Sequence, residues 1–372
     1  MNLSAGVLPS QTLSTLIDQN IVDASLPFLP EQVQPASLDL RLGFKAWRIQ
    51  ASFLPGAESK VADKLEKFAL HELDLQKGAV LEKGCVYLVE LMENLHLPHN
   101  LSGVANPKSS TGRLDVFTRL ITDYACEFET VRQEYSGPLY AEISPRTFSV
   151  LVRSGSHLSQ LRLRSGSISI DDTELHSLQK RFGLVSSDAE LSNAALINDG
   201  IGLSVNLQSK LQDGIIGWRA RKNAGLIDVD KIGELEKSRF WEAVTTTDLV
   251  GGGLVLNPDE FYIIESREFV CVPENFAAEM RAYDTKVGEF RAHYAGFFDP
   301  GFGMAELGAE GTRAVLEVRS HDVPFLIEEG QTVCRLVYEP MALVPDQLYG
   351  SSGSASNYQS QGLRLAKHFI QD

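Results

Sequence analysis

Val86-Tyr87-Leu88-Val89-Glu90-Leu91-Met92-Glu93 and Phe261-Tyr262-Ile263-Ile264-Glu265-Ser266-Arg267-Glu268 are one stretch written twice, 175 residues apart. The register extends well beyond it. Sliding residues 80–163 forward by 175 also lays Pro98 on Pro273, Asn100 on Asn275, Glu142 on Glu317, Gly155 on Gly330 and Leu161 on Leu336. One offset over so long a stretch indicates tandem duplication of a domain. Within each copy the apolar residues come in short runs. In the first these are 81–97, 114–121, 139–143 and 148–163, punctuated by Gly84, Gly137 and Gly155; in the second they are 254–265, 268–272, 315–318 and 333–338. Gln34 to Gly43 ends in an apolar–polar alternation that reads as a half-buried strand. Many short strands with frequent turns predict a β-barrel or sandwich in each half. Residues 9–19 read as a short helix with Ser10 as its cap, and 172–195 as a helical bridge.

The bulk numbers narrow the functional classes. At 372 residues each half can bury its own core, and 43% hydrophobic with 22% charged residues is the composition of a soluble globular chain. A net charge of −15 argues against a nucleic-acid polymer as partner, because such proteins present a broad basic face. The N-terminus has no cationic start and no long apolar run, and no stretch approaches the ~20 apolar residues that span a bilayer. Cys85, Cys126, Cys271 and Cys334 are widely spaced; free thiols, with Cys85 and Cys334 buried, suit a reducing compartment such as the cytoplasm.

The copies diverge where chemistry would sit. The first has Lys108-Ser109-Ser110-Thr111-Gly112-Arg113 where the second has Arg281 to Lys286 with Asp284, in a turn that reads two residues shorter from Pro273 to Gly288 than from Pro98 to Asp115. The second has Gly296-Phe297-Phe298-Asp299-Pro300-Gly301-Phe302 where the first reads Asp123-Tyr124-Ala125-Cys126-Glu127. Two hydroxyls, backbone N–H groups and two cations in the first turn suit an anionic phosphate, although the same residues also make a plain polar turn. Asp284 and the missing hydroxyl pair make the second turn a degenerate copy.

These strings together resemble the dCTP deaminase branch of the dCTP deaminase/dUTPase family. The residues that carry the likeness are QPASLDLRLG (34–43), KSSTGRLDVF (108–117), GFFDPGF (296–302), the Glu in AVLEV (314–318) and YQSQG (358–362). The resemblance implies a mainly β fold of two tandem dUTPase-like, jelly-roll-like barrels with a few short helices. The divisions would be a first barrel at 1–170, a linker or helical bridge at 171–198, a second barrel at 199–345 and a flexible closing tail at 346–372.

It further implies hydrolytic deamination of dCTP to dUTP and ammonia, supplying dUTP for thymidylate synthesis. A dUTP diphosphatase, a bifunctional deaminase/diphosphatase and a non-catalytic nucleotide-binding regulator are the alternatives. In the family the Ser-Ser-x-x-Arg turn holds the triphosphate, which assigns that role to Lys108, Ser109, Ser110 and Arg113. The hairpin reads the base and sugar, here through Ala295, Asp299 and Val315, and the tail closes through Tyr349, Tyr358 and Gln361. Asn357 stands where the family has a Lys.

Glu317 is the candidate catalytic group, with Glu142 as its alternative. Deamination at C4 of cytosine needs a group that takes a proton from water and returns it to N3 and the amine. A carboxyl beside Val315, Leu316 and Val318 is suited to this if desolvation raises its pKa. Glu317 is preferred because it follows the intact Asp299-Pro300-Gly301 hairpin, despite an eight-residue insertion around 303–312. No H-x-E with P-C-x-x-C set is present, so the sequence predicts no protein-bound zinc. Magnesium accompanying the triphosphate, dTTP as an inhibitor, and a homo-oligomer or intrachain pseudo-oligomer are further implications of the resemblance.

Overall fold

The computed structural model describes residues 4–186, 195–209, 213–281, 291–292, 296–305, 311–320, 322–351 and 362–371. They form two compact units. The first holds residues 1–168 together with 225–232 and 341–346; the second holds 169–224, 233–340 and 347–372.

In the first unit the main strands are β1 (Leu38–Ile49), β2 (Val86–His96), β3 (Leu101–Pro107), β4 (Val116–Thr122), β5 (Thr130–Val131), β6 (Ser136–Pro145) and β7 (His157–Ser165). They pair in the order β4-β6-β2-β1-β7-β3-β5 and curl into a barrel. The second unit has β8 (Ile201–Asn206), β9 (Ile215–Ala220), β10 (Phe261–Val270), β11 (Phe276–Arg281), β12 (Arg291–Ala292), β13 (Phe297–Phe298), β14 (Thr312–Arg319) and β15 (Thr332–Pro340). Its order β12-β14-β10-β8-β15-β11-β13 is the same path.

The duplication is therefore written in backbone register. Glu142 lies opposite Leu88 and Glu317 opposite Ile263; Leu161 lies opposite Ala105 and Leu336 opposite Met280. The offset changes between these anchors. β1 maps onto β8 with Leu38 at Ile201, since each faces Leu161 or its repeat Leu336. Ala46-Trp47-Arg48 maps onto Gly217-Trp218-Arg219, because the first faces Tyr87 to Val89 and the second faces their repeats, Tyr262 to Ile264. That AWR/GWR pair, at an offset of 171, is a repeat signal the single slide passes over.

Two expectations are corrected by the register. The counterpart of the 296–302 hairpin is not 123–127: Gly103 faces Val131 as Ala278 faces Phe298, so Arg132-Gln133-Glu134 stands where the second unit has Asp299-Pro300-Gly301. The eight extra residues of the second copy (303–310) follow this hairpin, which breaks any single-offset comparison. The degenerate turn is one residue shorter, not two, because Thr118 and Ala292 face equivalent residues, Ile143 and Val318. Residues 282–290 themselves lie outside the described residues.

Local chemistry also departs from the pattern. The helix at Ser10–Asp18 is preceded by Pro9 as its cap, and Ser10 is its first residue. Pro at the cap needs no N–H of its own, which releases Ser10 into the helix. Residues 38–43 of β1 are not half-buried, because Asp39 and Arg41 are enclosed along with Leu38, Leu40 and Leu42. The reason for Arg41 is Glu93 on β2. Its carboxylate accepts the Arg41 backbone N–H at 2.8 Å, Arg41 Nε at 2.7 Å and Gln32 Nε2 at 3.1 Å. Burial pushes the Glu93 carboxyl above its ordinary value, outweighing the Arg41 contacts that pull it down. In the second unit Glu268 does the same with a smaller partner, accepting Ser204 N–H at 2.8 Å and Ser204 Oγ at 2.6 Å.

The helix of the bridge runs over Asp172–Phe182, capped by Asp171, whose side chain accepts the Glu174 N–H. Cys334 is buried while Cys85 is half-buried. No described helix is long and apolar enough to cross a membrane.

The first unit incorporates two short segments from the second copy's sequence. Ile227 and Asp228 add in parallel beside Val150 and Leu151, and Asp228 takes a two-pronged contact from Arg153 at 2.7 and 2.9 Å. Arg153 holds the Asp228 carboxyl below the ordinary Asp value of 3.8. A lowered carboxyl pKa stabilises the fold above its unfolded value and loses that contribution as pH falls through the folded one. Arg153 is partly exposed, so the contribution is about 1 kcal/mol or less. Asp228→Asn should therefore lower the melting temperature slightly at pH 7, with the deficit shrinking as pH is taken below 3.8. A deficit that stayed constant in acid would show that this ion pair is not the cause.

Candidate active site

The phosphate-turn candidates sit together in the first unit. β3 ends at Pro107, Lys108 caps a single helical turn over Ser109–Gly112, and Arg113 closes it with its N–H on the Ser109 carbonyl at 3.1 Å. Asp115 then adopts a left-handed backbone (φ 55) and accepts the Thr147 hydroxyl at 2.5 Å, which fixes the entry into β4. Ser110 and Arg113 are buried; Lys108 and Ser109 are half-buried. The Lys108 ammonium is ion-paired with Asp39 on β1. Sequence reasoning passed over Asp39 as a partner of this turn. Strand register, not the single slide, maps Asp39 onto Gly202, so the degenerate copy lacks the carboxylate as well as the lysine.

The second set sits in the second unit. Val315 and Glu317 lie on one face of β14 while Ala314, Leu316 and Val318 enter the barrel core. Of the three apolar neighbours expected around Glu317, only Val315 shares its face. Glu317 is buried, and its charge, with that of Glu268, adds to the burial that pushes the Cys334 thiol up. Asp299 is half-buried at the head of the hairpin turn.

Gly301 carries a left-handed backbone (φ 101), and a Cβ there would meet the Tyr349 carbonyl oxygen at 2.7 Å. The Tyr349 N–H donates to Pro300 O at 2.8 Å, and its ring lies 5.8 Å from that of Phe302. Tyr349 thus fastens the root of the tail to the Asp299-Pro300-Gly301 turn. Ala295, Tyr358 and Gln361 lie outside the described residues.

The two carboxylates differ in surroundings. Glu142 is buried and accepts Arg119 Nη2 at 2.5 Å and Nε at 3.2 Å. Arg119 is itself held over the Phe128 ring at 3.5 Å and donates to Ser52. One oxygen of this carboxylate is therefore occupied by the Arg119 guanidinium. The hairpin before Glu142 carries Arg132 in the place of Asp299.

Two family models cover nearly the whole chain. The N-terminal domain of 2'-deoxycytidine 5'-triphosphate deaminase (DCD) matches residues 4–167, and its C-terminal domain matches residues 171–369. The chain belongs to the 2'-deoxycytidine 5'-triphosphate deaminase family. A solved structure of 2'-deoxycytidine 5'-triphosphate deaminase from Agrobacterium tumefaciens superimposes with a TM-score of 0.84 at 51% identity, covering 91% of this chain and 99% of that one. Among curated members of the deaminase family, "dCTP deaminase, dUMP-forming" of Methanobrevibacter smithii is 30% identical over 136 residues. That match spans 36% of this chain and 65% of the relative's length. "dCTP deaminase" of Halorubrum lacusprofundi is 28% identical over 152 residues, spanning 40% of this chain and 71% of its own.

Proposed function

We propose that this deaminase-family chain hydrolyses dCTP to dUTP and ammonia, drawing its phosphate-holding groups from the first copy and its base-reading and proton-handling groups from the second. The observation that carries this reading is the contrast at one duplicated position: Glu142 follows a hairpin bearing Arg132, whereas Glu317 follows the Asp-Pro-Gly turn. In the proposed chemistry Glu317 takes a proton from water as its oxygen bonds to C4, and passes it to N3. A second proton, from the new C4 hydroxyl, reaches the amine, and the C4–N bond breaks to release ammonia and leave the carbonyl. Ser109, Ser110 and Arg113 hold the triphosphate, Asp299, Ala295 and Val315 face the base and sugar, and Tyr358 and Gln361 close over the nucleotide. Magnesium enters as the counter-ion of the triphosphate oxygens. The product dUTP feeds thymidylate synthesis.

The deciding assay follows ammonia and pyrophosphate from dCTP. Ammonia without pyrophosphate supports the proposal. Both products together would make the enzyme dUMP-forming, the activity in the name of the Methanobrevibacter relative. Bound nucleotide with neither product would leave a regulator. Ser110→Ala and Arg113→Ala should each raise KM for dCTP about 10- to 100-fold with kcat within a few-fold, the loss of one charge-assisted contact. An unchanged KM in both variants would remove the turn from the site.

A further inference from the structure

The first copy carries, at Glu142, a filled counterpart of the pocket proposed around Glu317. Glu142 on β6 faces Arg119 on β4, and the strand register puts Arg119 in the place of His293, the residue after Ala292. Val131 and Phe298 face Gly103 and its repeat Ala278. Counting back from them, Phe128 takes the place of Ala295, the residue assigned to the base. Histidine and alanine in the second copy are thus arginine and phenylalanine in the first.

These residues complete one another. The Arg119 guanidinium lies 3.5 Å from the Phe128 ring centre and 4.8 Å from that of Phe117. Its Nε and Nη2 both donate to Glu142 Oε1, at 3.2 and 2.5 Å, and Nη2 also donates to Ser52 Oγ at 2.9 Å. A planar cation stacked on aromatic rings and bound edge-on to a carboxylate is how proteins hold a guanidinium or amidinium ligand. Here the ligand is the chain's own side chain. The loop that carries Phe128 is pinned behind it. The Gly56 N–H donates to the Ala125 carbonyl at 3.0 Å and the Val61 N–H to the buried Asp123 carboxylate at 2.8 Å. Phe128 itself packs on the buried cluster of Ile49, Val61, Leu88, Ile121 and Tyr140.

The resident group selects the class of ligand. The Nε–H and Nη2–H of Arg119 are the donor pair that cytosine presents when N3 carries a proton beside the 4-amino group. Tethered to β4, Arg119 brings both donors to one oxygen and leaves Glu142 Oε2 buried with no hydrogen-bond partner among the described residues. An untethered amidinium can place one N–H on each oxygen.

We propose that Arg119 is a built-in occupant of the first copy's counterpart of the base pocket, an autoinhibitory contact that keeps pyrimidine-sized planar amidinium groups off Glu142. With Arg132 at the hairpin position, it leaves the chain one carboxylate for catalysis. That consequence rests on the deaminase reading; the filled pocket does not.

The test removes the occupant. In calorimetric titration of the full chain, Arg119→Ala should bind one more benzamidine per chain than the parent, with methylguanidinium competing for the gained site. Adding Glu142→Leu should weaken that site about tenfold or more, through loss of the charge-assisted pair. No gained site, or one indifferent to Glu142→Leu, would overturn the proposal. If Arg119→Ala does not fold, Arg119→Gln, which keeps one N–H for Glu142, is titrated in its place and read the same way. Neither probe carries a phosphate, so the result stands whether or not the parent deaminates dCTP; failure of that reaction would remove only the consequence for catalysis.

Discussion

Glu317→Gln should lower ammonia release from dCTP by about 10²–10⁴-fold and leave dCTP binding within a few-fold of the parent. Gln keeps the volume and a hydrogen-bonding oxygen but cannot take a proton from water and return it to N3, so the loss falls on kcat. Glu142→Gln makes the opposite case. It breaks a buried pair with Arg119, and Arg119 keeps its Phe128 stack and its Ser52 contact. Turnover should stay near the parent value, with the cost appearing as lowered stability. Steady-state kinetics with dCTP binding measured separately on both variants decides the matter. Loss of turnover in Glu142→Gln with activity kept in Glu317→Gln would move catalysis to the first copy.

The second large effect is on stability, and the duplication supplies its own comparison. Glu93→Ala should cost the first unit about 3–5 kcal/mol, because it leaves the Arg41 guanidinium buried without its carboxylate. Glu268→Ala, at the repeated position, should cost the second unit only about 1–3 kcal/mol, since a hydroxyl and an N–H of Ser204 are left behind rather than a charge. Hydrogen exchange read peptide by peptide reports each unit without assuming that they unfold together. Equal costs at the two positions would mean that Arg41 finds other compensation, for which the Leu26 and Pro27 carbonyls it also reaches are the first suspects.

What the sequence made legible follows from where chain length is unchanged between copies. β2 with β10, and β6 with β14, keep one offset, so Tyr87, Glu93 and Glu142 found their repeats by inspection. Around them, insertions at 207–216 and 303–310 shift the register in steps, and an anchor as short as Trp47-Arg48 is too brief to stand out. For that reason a single slide places the 296–302 hairpin against 123–127, whereas the strand register places Arg132 at Asp299. Long-range pairings were not readable at all. Nothing in the spacing announces that Asp39 meets Lys108, or that Ile227 and Asp228 add to a strand of the first copy. Both depend on chain crossing that only three-dimensional register reveals. The candidate residues themselves come from the resemblance; the structure adds the Arg119 pairing of Glu142 and the register that puts Arg132 in the place of Asp299.

The central proposal, that one reaction uses the anion-holding turn of the first copy and the carboxylate of the second, is tested most directly by a crystal structure of the Glu317→Gln variant with dCTP bound. The expected density has triphosphate oxygens on Ser109, Ser110 and Arg113, with the cytosine ring against Asp299 and the side chain at 317. A nucleotide contacted by one copy alone, for instance with its ring at Glu142, would contradict it.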